Sequence, residues 1–375
     1  MKWLDEERDG FLLGLMRLLL GVLLCVQAWQ RLDELRGWGY FGAYFHLPFV
    51  PESWVPSVLE YRGLLVLELV GALLAVVGWF GREGLLVGSS IGLYLMLCDR
   101  LQYHNNRFSL LLCCFLCAFC ASDRSFLLYR GRGRHLPPAN RVAPTLPRRL
   151  IALTVSLLYL SSGGGKALDP DWRSGQTMLL RFRYGFEEAL HAGAPAPRAL
   201  VDFMTSPSVA ALASKGAISL ELGLALALWH RRTRVAALWA GAVFHIMIQA
   251  SARVELFSFL MGVAYIAFVT PELRERTVLA DSRTALGRAA VHVVPLFDWL
   301  ARFRIAELPA TEASEGPVVV IDRDGRRAAG RAVPAALARG LPGLFLAWPI
   351  LAIFAGNRWV RAGGSAGAGS RAGAG

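Results

Sequence analysis

The feature that most limits what this chain can become is a run of apolar segments, eight of which approach the length of a bilayer span. They fall near 11–29, 62–80, 84–99, 107–122, 149–165, 207–229, 234–250 and 254–270. A helix needs about 20 apolar residues to cross the hydrocarbon core without tilt, and several of these segments are shorter, so their limits are loose. Lipid offers the backbone no hydrogen bonds, which makes such segments helices. Composition agrees: 55% of residues are hydrophobic and 18% are charged, whereas soluble domains run nearer 45–50% and about 25%. The chain therefore reads as an all-α polytopic membrane protein with about eight transmembrane helices. Its first apolar segment lacks a small-residue cleavage site and reads as a membrane helix rather than a removable leader.

A net charge of +12 raises nucleic acid as a partner. The arginines lie between the apolar segments, not along one polar face, so nucleic acid is excluded and the positive-inside bias accounts for them. Arg124, Arg130, Arg132, Arg134, Arg141, Arg148 and Arg149 crowd the 123–149 loop, and "GRE" at 81–83, "HRRTR" at 230–234 and "PELRER" at 271–276 are also basic. With eight spans these four connections share one side. That side is cytoplasmic, and both termini are expected there in a multi-pass integral membrane protein surrounded by lipid. The other side receives 30–61, rich in Trp38, Tyr40, Tyr44 and Trp54, then 99–107, then the long stretch 166–206. Such aromatics suit an interfacial belt.

Five of the six cysteines lie between Cys98 and Cys120, four of them at helical spacing in "LLCCFLCAFC". They read as small apolar residues of an apolar helix, and no metal site is expected. Beyond 272, residues 273–360 read as a small cytoplasmic α+β region. "GPVVVIDRDGRRAAGRAV" gives a strand, a turn at Arg323-Asp324-Gly325 and a second extended piece. "LPGLFLAWPILAIFAGNRW", broken by Pro349, reads as a docking or interfacial helix, and the glycine-rich tail 361–375 as disordered.

Only three of the 40 basic residues are lysines: Lys2, Lys166 and Lys215. Arginine keeps its proton in a protein and lysine can release it, so a lysine in an arginine-using chain draws notice. Lys166 lies in "GGGKALDPDWRSG" (163–175), where an apolar segment ends.

Three segments together carry a resemblance to the HTTM domain family, which includes vitamin K-dependent gamma-carboxylase. They are "GGGKALDPDWRSG", "RLQYHNNRFSLLL" (100–112) and "WHRRTRVAALWAGAVFHIMIQASARVELFSF" (229–259), and the likeness spans roughly 10–272. The resemblance implies a membrane-embedded site for a reduced, vitamin K-like quinone. In the carboxylase a lysine acts as base on the hydroquinone; oxygenation then yields an epoxide and a strong base that removes a glutamate proton before carbon dioxide adds. Carried over, the base is Lys166. Where that family has Asn-Asn-His, this chain reads Asn105, Asn106, Arg107, with His104 on the other flank. The carboxylase also has a large lumenal carboxy-terminal region that helps engage its protein substrate; here residues 273–375 follow the family-like part and are expected on the cytoplasmic side, so the resemblance implies quinol oxidation rather than glutamate carboxylation. The segment after 316 also resembles the latter part of a DCC-type thiol-disulfide oxidoreductase, yet 271–375 contains no cysteine, and thiol chemistry needs a thiolate.

Each candidate residue keeps two readings. Lys166 is a base or a snorkelling anchor. Asp169 and Asp171 flank Pro170 and form a turn or position Lys166. Trp172 is an interfacial anchor or packs on a quinone ring. His245 and Glu221, ionisable groups inside apolar segments, face a functional cavity or make interhelical hydrogen bonds. His104, Asn105 and Asn106 line the lysine's pocket or face water. Two functions follow: a membrane oxidoreductase acting on a lipophilic quinol, or a non-enzymatic scaffold or lipid-binding protein that keeps the fold. A transporter lacks the internal repeat it would need.

Overall fold

A computed structural model describes residues 7–37, 39–127, 142–191, 198–252, 254, 256–269, 274–355 and 360–361. Trp38, the arginine-rich stretch 128–141, residues 270–273 and the tail beyond Arg361 lie outside the described residues. The chain forms two compact units, Met1–Val269 and Thr270–Gly375.

The first unit is helical. Its elements are β1 (Glu7–Asp9), α1 (Phe11–Gly37), α2 (Gly42–Phe45), α3 (Val58–Val77), α4 (Gly81–Cys98), α5 (Asn105–Ala118), β2 (Val142–Pro144), α6 (Leu146–Leu168), α7 (Pro170–Ser174), α8 (Gln176–His191), α9 (Arg198–Met204), α10 (Pro207–Ala227), α11 (Arg234–Ala252) and α12 (Phe257–Ala264). A 3-10 turn at Tyr265–Phe268 continues α12, and β1 pairs antiparallel with β2. Each of the eight apolar segments falls on one of these helices. Three of the helices, α1, α6 and α10, are long and apolar enough to cross a membrane. α3 carries Glu60, Arg62 and Glu68 within its 20 residues, and α5 has only 14.

Local chemistry sets the ends of these helices. Ser57 and Glu60 form a capping box at the start of α3, and Gly78 ends it in the left-handed region at φ 84°. Small residues let helices close up in the manner of membrane bundles. A Cβ on Gly71 would lie 2.7 Å from the Gly84 carbonyl, so only glycine permits the α3–α4 crossing. α1 is the central helix, burying Met16, Leu20 and Leu24, while α6 and α10 leave leucines such as Leu157, Leu160 and Leu226 open. Arg17, fully buried on α1, donates to the carbonyls of Ala75 (2.9 Å), Ser125 (3.2 Å) and Phe126 (2.7 Å), tying α1 to the end of α3 and the chain after α5. All six cysteines are free thiols, and those of α5 are buried among apolar neighbours.

One stretch gains detail in this unit and one expectation changes. The stretch 166–206 is largely helical, carrying α7, α8 and α9. The Asp169-Pro170-Asp171 sequence also starts a helix instead of forming an open turn. Asp169 caps α7 by accepting from the Asp171 N–H at 2.8 Å, and Pro170, at the first helical position, has no N–H to leave unpaired.

The second unit is α+β. A five-stranded sheet runs in the order β4 (Phe303–Glu307), β3 (Arg276–Ala280), β5 (Val318–Ile321), β6 (Arg326–Ala329), β7 (Val360–Arg361). β3 and β4 are parallel, so the chain must cross over between them, and α13 (Ala285–Phe297) makes that crossing. The remaining pairs are antiparallel. Gly325, at φ 73°, makes the β5–β6 turn where the sequence places it. α14 (Val333–Gly340) and α15 (Trp348–Ala355) complete the core with Val278, Val320, Ala336 and Leu341. The last apolar stretch divides next to Pro349, into a 3-10 turn at Pro342–Ala347 and then α15. Pro349 sits in the first turn of α15, where a missing N–H costs nothing.

Candidate functional site

Lys166 and Glu221 meet where α6 crosses α10. The helices close at Gly163, where a Cβ would lie 3.1 Å from the Glu221 Cβ and 3.0 Å from Leu222. Lys166 projects one turn later on the same face. Its Nζ donates to both Glu221 oxygens at 2.6 Å and to Ser162 Oγ at 2.7 Å. The lysine side chain is 19% exposed and the carboxylate 6%. The pair thus opens outward on its cationic side and is closed behind.

Trp172 covers this pair. Its ring centroid lies 5.1 Å from Lys166 Nζ and 5.2 Å from the Arg181 guanidinium, so two cations share one aromatic face system. The position of Trp172 is built locally. Gly175 ends α7 at φ 87°, with the Ala211 backbone directly against it. Buried Ser214 donates to the Trp172 carbonyl at 2.5 Å. Leu179, Phe182 and Ala210 then clamp α8 onto α10.

Behind the pair, Tyr159 lies on the Lys166 face of α6, seven residues before it. Its hydroxyl bonds His245 Nε2 at 2.7 Å and also the Tyr265 hydroxyl. His245 is 4% exposed and ringed by Phe244, Phe257 and Tyr265. Among the described residues its Nδ1 has no hydrogen-bond partner. The ion pair and the tyrosine–histidine chain are linked by α6, which carries both Lys166 and Tyr159.

The structure thus brings together Lys166, Glu221 and Trp172 from the sequence-derived candidates, while His245 meets Tyr159 farther along α6, with no described hydrogen bond to the pair. Asp169 and Asp171 serve α7; among the described residues neither has a hydrogen bond or ion pair to Lys166. His104, Asn105 and Asn106 start α5. His104 Nδ1 accepts from the Asn106 N–H at 3.3 Å, and His104 and Asn105 are exposed. No described hydrogen bond joins these three to Lys166. Arg107, standing where the carboxylase pattern has histidine, grips Glu34 at 2.6 and 3.1 Å and Gln102 at 2.7 Å.

Sequence reasoning missed Ser162, Tyr159, Tyr265, Ser214 and Arg181. The first two were within reach, because they lie four and seven residues before Lys166 on one helical face. It also missed a second buried polar cluster. Arg31, on α1, pairs with Glu68, on α3, at 3.4 Å and donates to the Tyr61 hydroxyl at 2.8 Å. The signal was present there as charges inside apolar segments.

Among the described residues no group of three or more His, Cys, Asp or Glu side chains is placed to hold a metal ion. The family model of the HTTM domain matches residues 6–272, well over half of the chain. No curated protein and no solved structure matches it.

Proposed function

We propose that this chain, which belongs to the HTTM domain family, oxidises a lipophilic quinol at the Lys166–Glu221 site, in the manner of vitamin K-dependent gamma-carboxylase. The observation that carries the reading is the pair itself: a lysine amine, 19% exposed, held 2.6 Å from a buried carboxylate beside a tryptophan ring. When bound, the reduced quinone supplies electrons to oxygen; quinol plus dioxygen gives quinone epoxide plus water, which balances.

The residues present fit such a group. Trp172 offers a flat face for an aromatic ring. The open leucines of α6 and α10 offer an apolar approach for a long tail. Lys166 and Ser162 offer polar atoms at the ring's edge. An ammonium paired with a carboxylate is not a base, so Lys166 acts together with Glu221. Glu221 Oε1 lies 2.6 Å from Lys166 Nζ, close enough to receive the proton that the ammonium gives up. Lys166 can then accept the proton of a quinol hydroxyl. The His245–Tyr159–Tyr265 chain, on the Lys166 face of α6, supplies further groups able to carry protons.

The same proposal carries the eight-span topology, with both termini on the arginine-rich cytoplasmic side. Its support is the alternation of basic and aromatic connections between the segments. A second reading keeps the fold without the chemistry, as a scaffold or lipid-binding protein. The closed ion pair favours it, because such a pair also serves to pin α6 to α10.

The two readings separate on one assay. Purified wild type and Lys166→Arg are given reduced vitamin K and oxygen in detergent, and the epoxide is measured by mass spectrometry. Epoxide from wild type and none from the arginine variant supports the proposal. Equal product from both, or none from folded wild type, supports the scaffold.

A further inference from the structure

The second unit carries two neighbouring helices that are apolar on both sides. α13 turns Ala290, Val294 and Phe297 toward the sheet. It leaves Leu286, Val293 and Leu296, with Trp299 just beyond, 44–68% exposed. The Pro342–Ala347 turn and α15 direct Leu344, Leu351 and Ala355 inward. They leave Leu346, Ile350, Ile353 and Phe354 45–79% exposed. The spacing of those four, i, i+4, i+7 and i+8, makes a single helical face. The two stripes lie side by side: Phe297 packs against Gly343, where a Cβ would stand 2.6 Å from its ring. Scattered apolar residues on a surface need no explanation, but two adjoining stripes of large side chains do.

Three observations identify the occupant. Three helices of the first unit are long and apolar enough to cross a membrane, and the second unit follows them directly in the chain. Residues 271–361 hold 13 arginines against nine acidic residues, and Arg288 and His292 stand exposed on α13 itself. Anionic headgroups complement that charge. Trp299 and Trp348 border the stripes, and tryptophan suits a boundary between apolar and wet surroundings. We propose that this face docks on the anionic surface of the bilayer that holds the chain, with the α13 and α15 stripes sunk to the acyl boundary and the arginines at the headgroups. This surface is independent of the Lys166 site.

The test uses the full chain in nanodiscs of phosphatidylcholine with a minority of phosphatidylglycerol. A nitroxide is placed through Ile353→Cys, with Asp324→Cys at the β5–β6 turn as the control, and the labelled parent protein provides the background. Collision with oxygen, which enters lipid, is compared with collision with a nickel chelate, which stays in water. Docking predicts several-fold lower nickel access and higher oxygen access at position 353 than at 324. Equal nickel access at both sites overturns the proposal. So does shielding of 353 from both reagents, which means a protein cover, or dipolar broadening between labels, which means a second copy. In a second variant Ile350→Asp and Phe354→Asp, both exposed and so compatible with folding, are combined with a label at Leu296→Cys. Nickel access at 296 should rise several-fold over the same label without the aspartates; no change there also overturns the proposal.

Discussion

Replacing Lys166 with methionine leaves Glu221 with a carboxylate 6% exposed that has lost the ammonium bonded to both of its oxygens. Stranding one partner of a buried pair costs roughly 3–5 kcal/mol. The lysine end is 19% exposed, which puts the expected loss near the lower bound, about 3 kcal/mol. Glu221→Gln is milder. The amide oxygen still accepts from Nζ, and Ser162 and Trp172 still hold the more open lysine, so about 1–2 kcal/mol is expected. The double variant buries no unpaired charge and should lose only about 1 kcal/mol. It should therefore be more stable than Lys166→Met alone by about 2 kcal/mol, roughly 30-fold in the unfolding constant. Reversible unfolding of the four proteins in mixed micelles, titrated with a denaturing detergent, measures this cycle. A methionine variant within about 0.5 kcal/mol of wild type, or a double variant no better than the methionine single, refutes the view that these groups form a buried, mutually dependent pair.

Three further outcomes follow from particular contacts. Arg17→Leu strips three carbonyls of a buried donor and should cost about 3 kcal/mol in the same unfolding assay. Gly175→Ala forces a side chain into a left-handed backbone position against Ala211; it should cost more than about 1 kcal/mol and weaken the quenching of Trp172 by its neighbours. In the second unit, the hydrogen bond from Arg283 holds the Asp281 carboxyl below its usual range. Because that carboxyl is depressed in the folded state, its contribution is complete above the ordinary carboxylate range and is lost as pH falls through the lowered value. Hydrogen exchange of the β3 and β4 amides should therefore speed up as pH is lowered from neutral toward about 3, after correction for intrinsic exchange, and Arg283→Ala should flatten that dependence.

Much of the helical frame was legible because a bilayer leaves the backbone few choices. Each apolar segment became helix, and the limits moved by a few residues where caps such as Ser57 or Asp169 set them. The number of spans was less legible. Hydropathy along a segment does not say which charges, such as Glu68, will find a buried partner and which will face water. The helices within 166–206 were not read from the sequence for a different reason. α7 and α8 are held by packing of Leu179 and Phe182 on α10, a tertiary contact with no periodic signature strong enough to read in advance. At the site, Lys166 and Glu221 were each visible as a charge at the edge of or inside an apolar segment. Their pairing was not, since 55 residues separate them and only the crossing at Gly163 joins them. Asn105 and Asn106 were singled out by family likeness, and the structure gives them no described hydrogen bond to Lys166. The strand–turn–strand of the second unit was readable because Asp324-Gly325 places a glycine where the left-handed residue must be.

The claim that the Lys166–Glu221 cleft receives a lipophilic quinol is tested most directly by locating the ligand. A photoactivatable naphthoquinone with an isoprenoid tail, reduced and irradiated with the full chain in nanodiscs, is followed by peptide mapping. The account predicts saturable labelling within 159–172 and 214–221, competed by unlabelled reduced vitamin K and lost in the Lys166→Met, Glu221→Gln double variant. Labelling confined to other helices, or labelling that neither saturates nor responds to competitor, would contradict it.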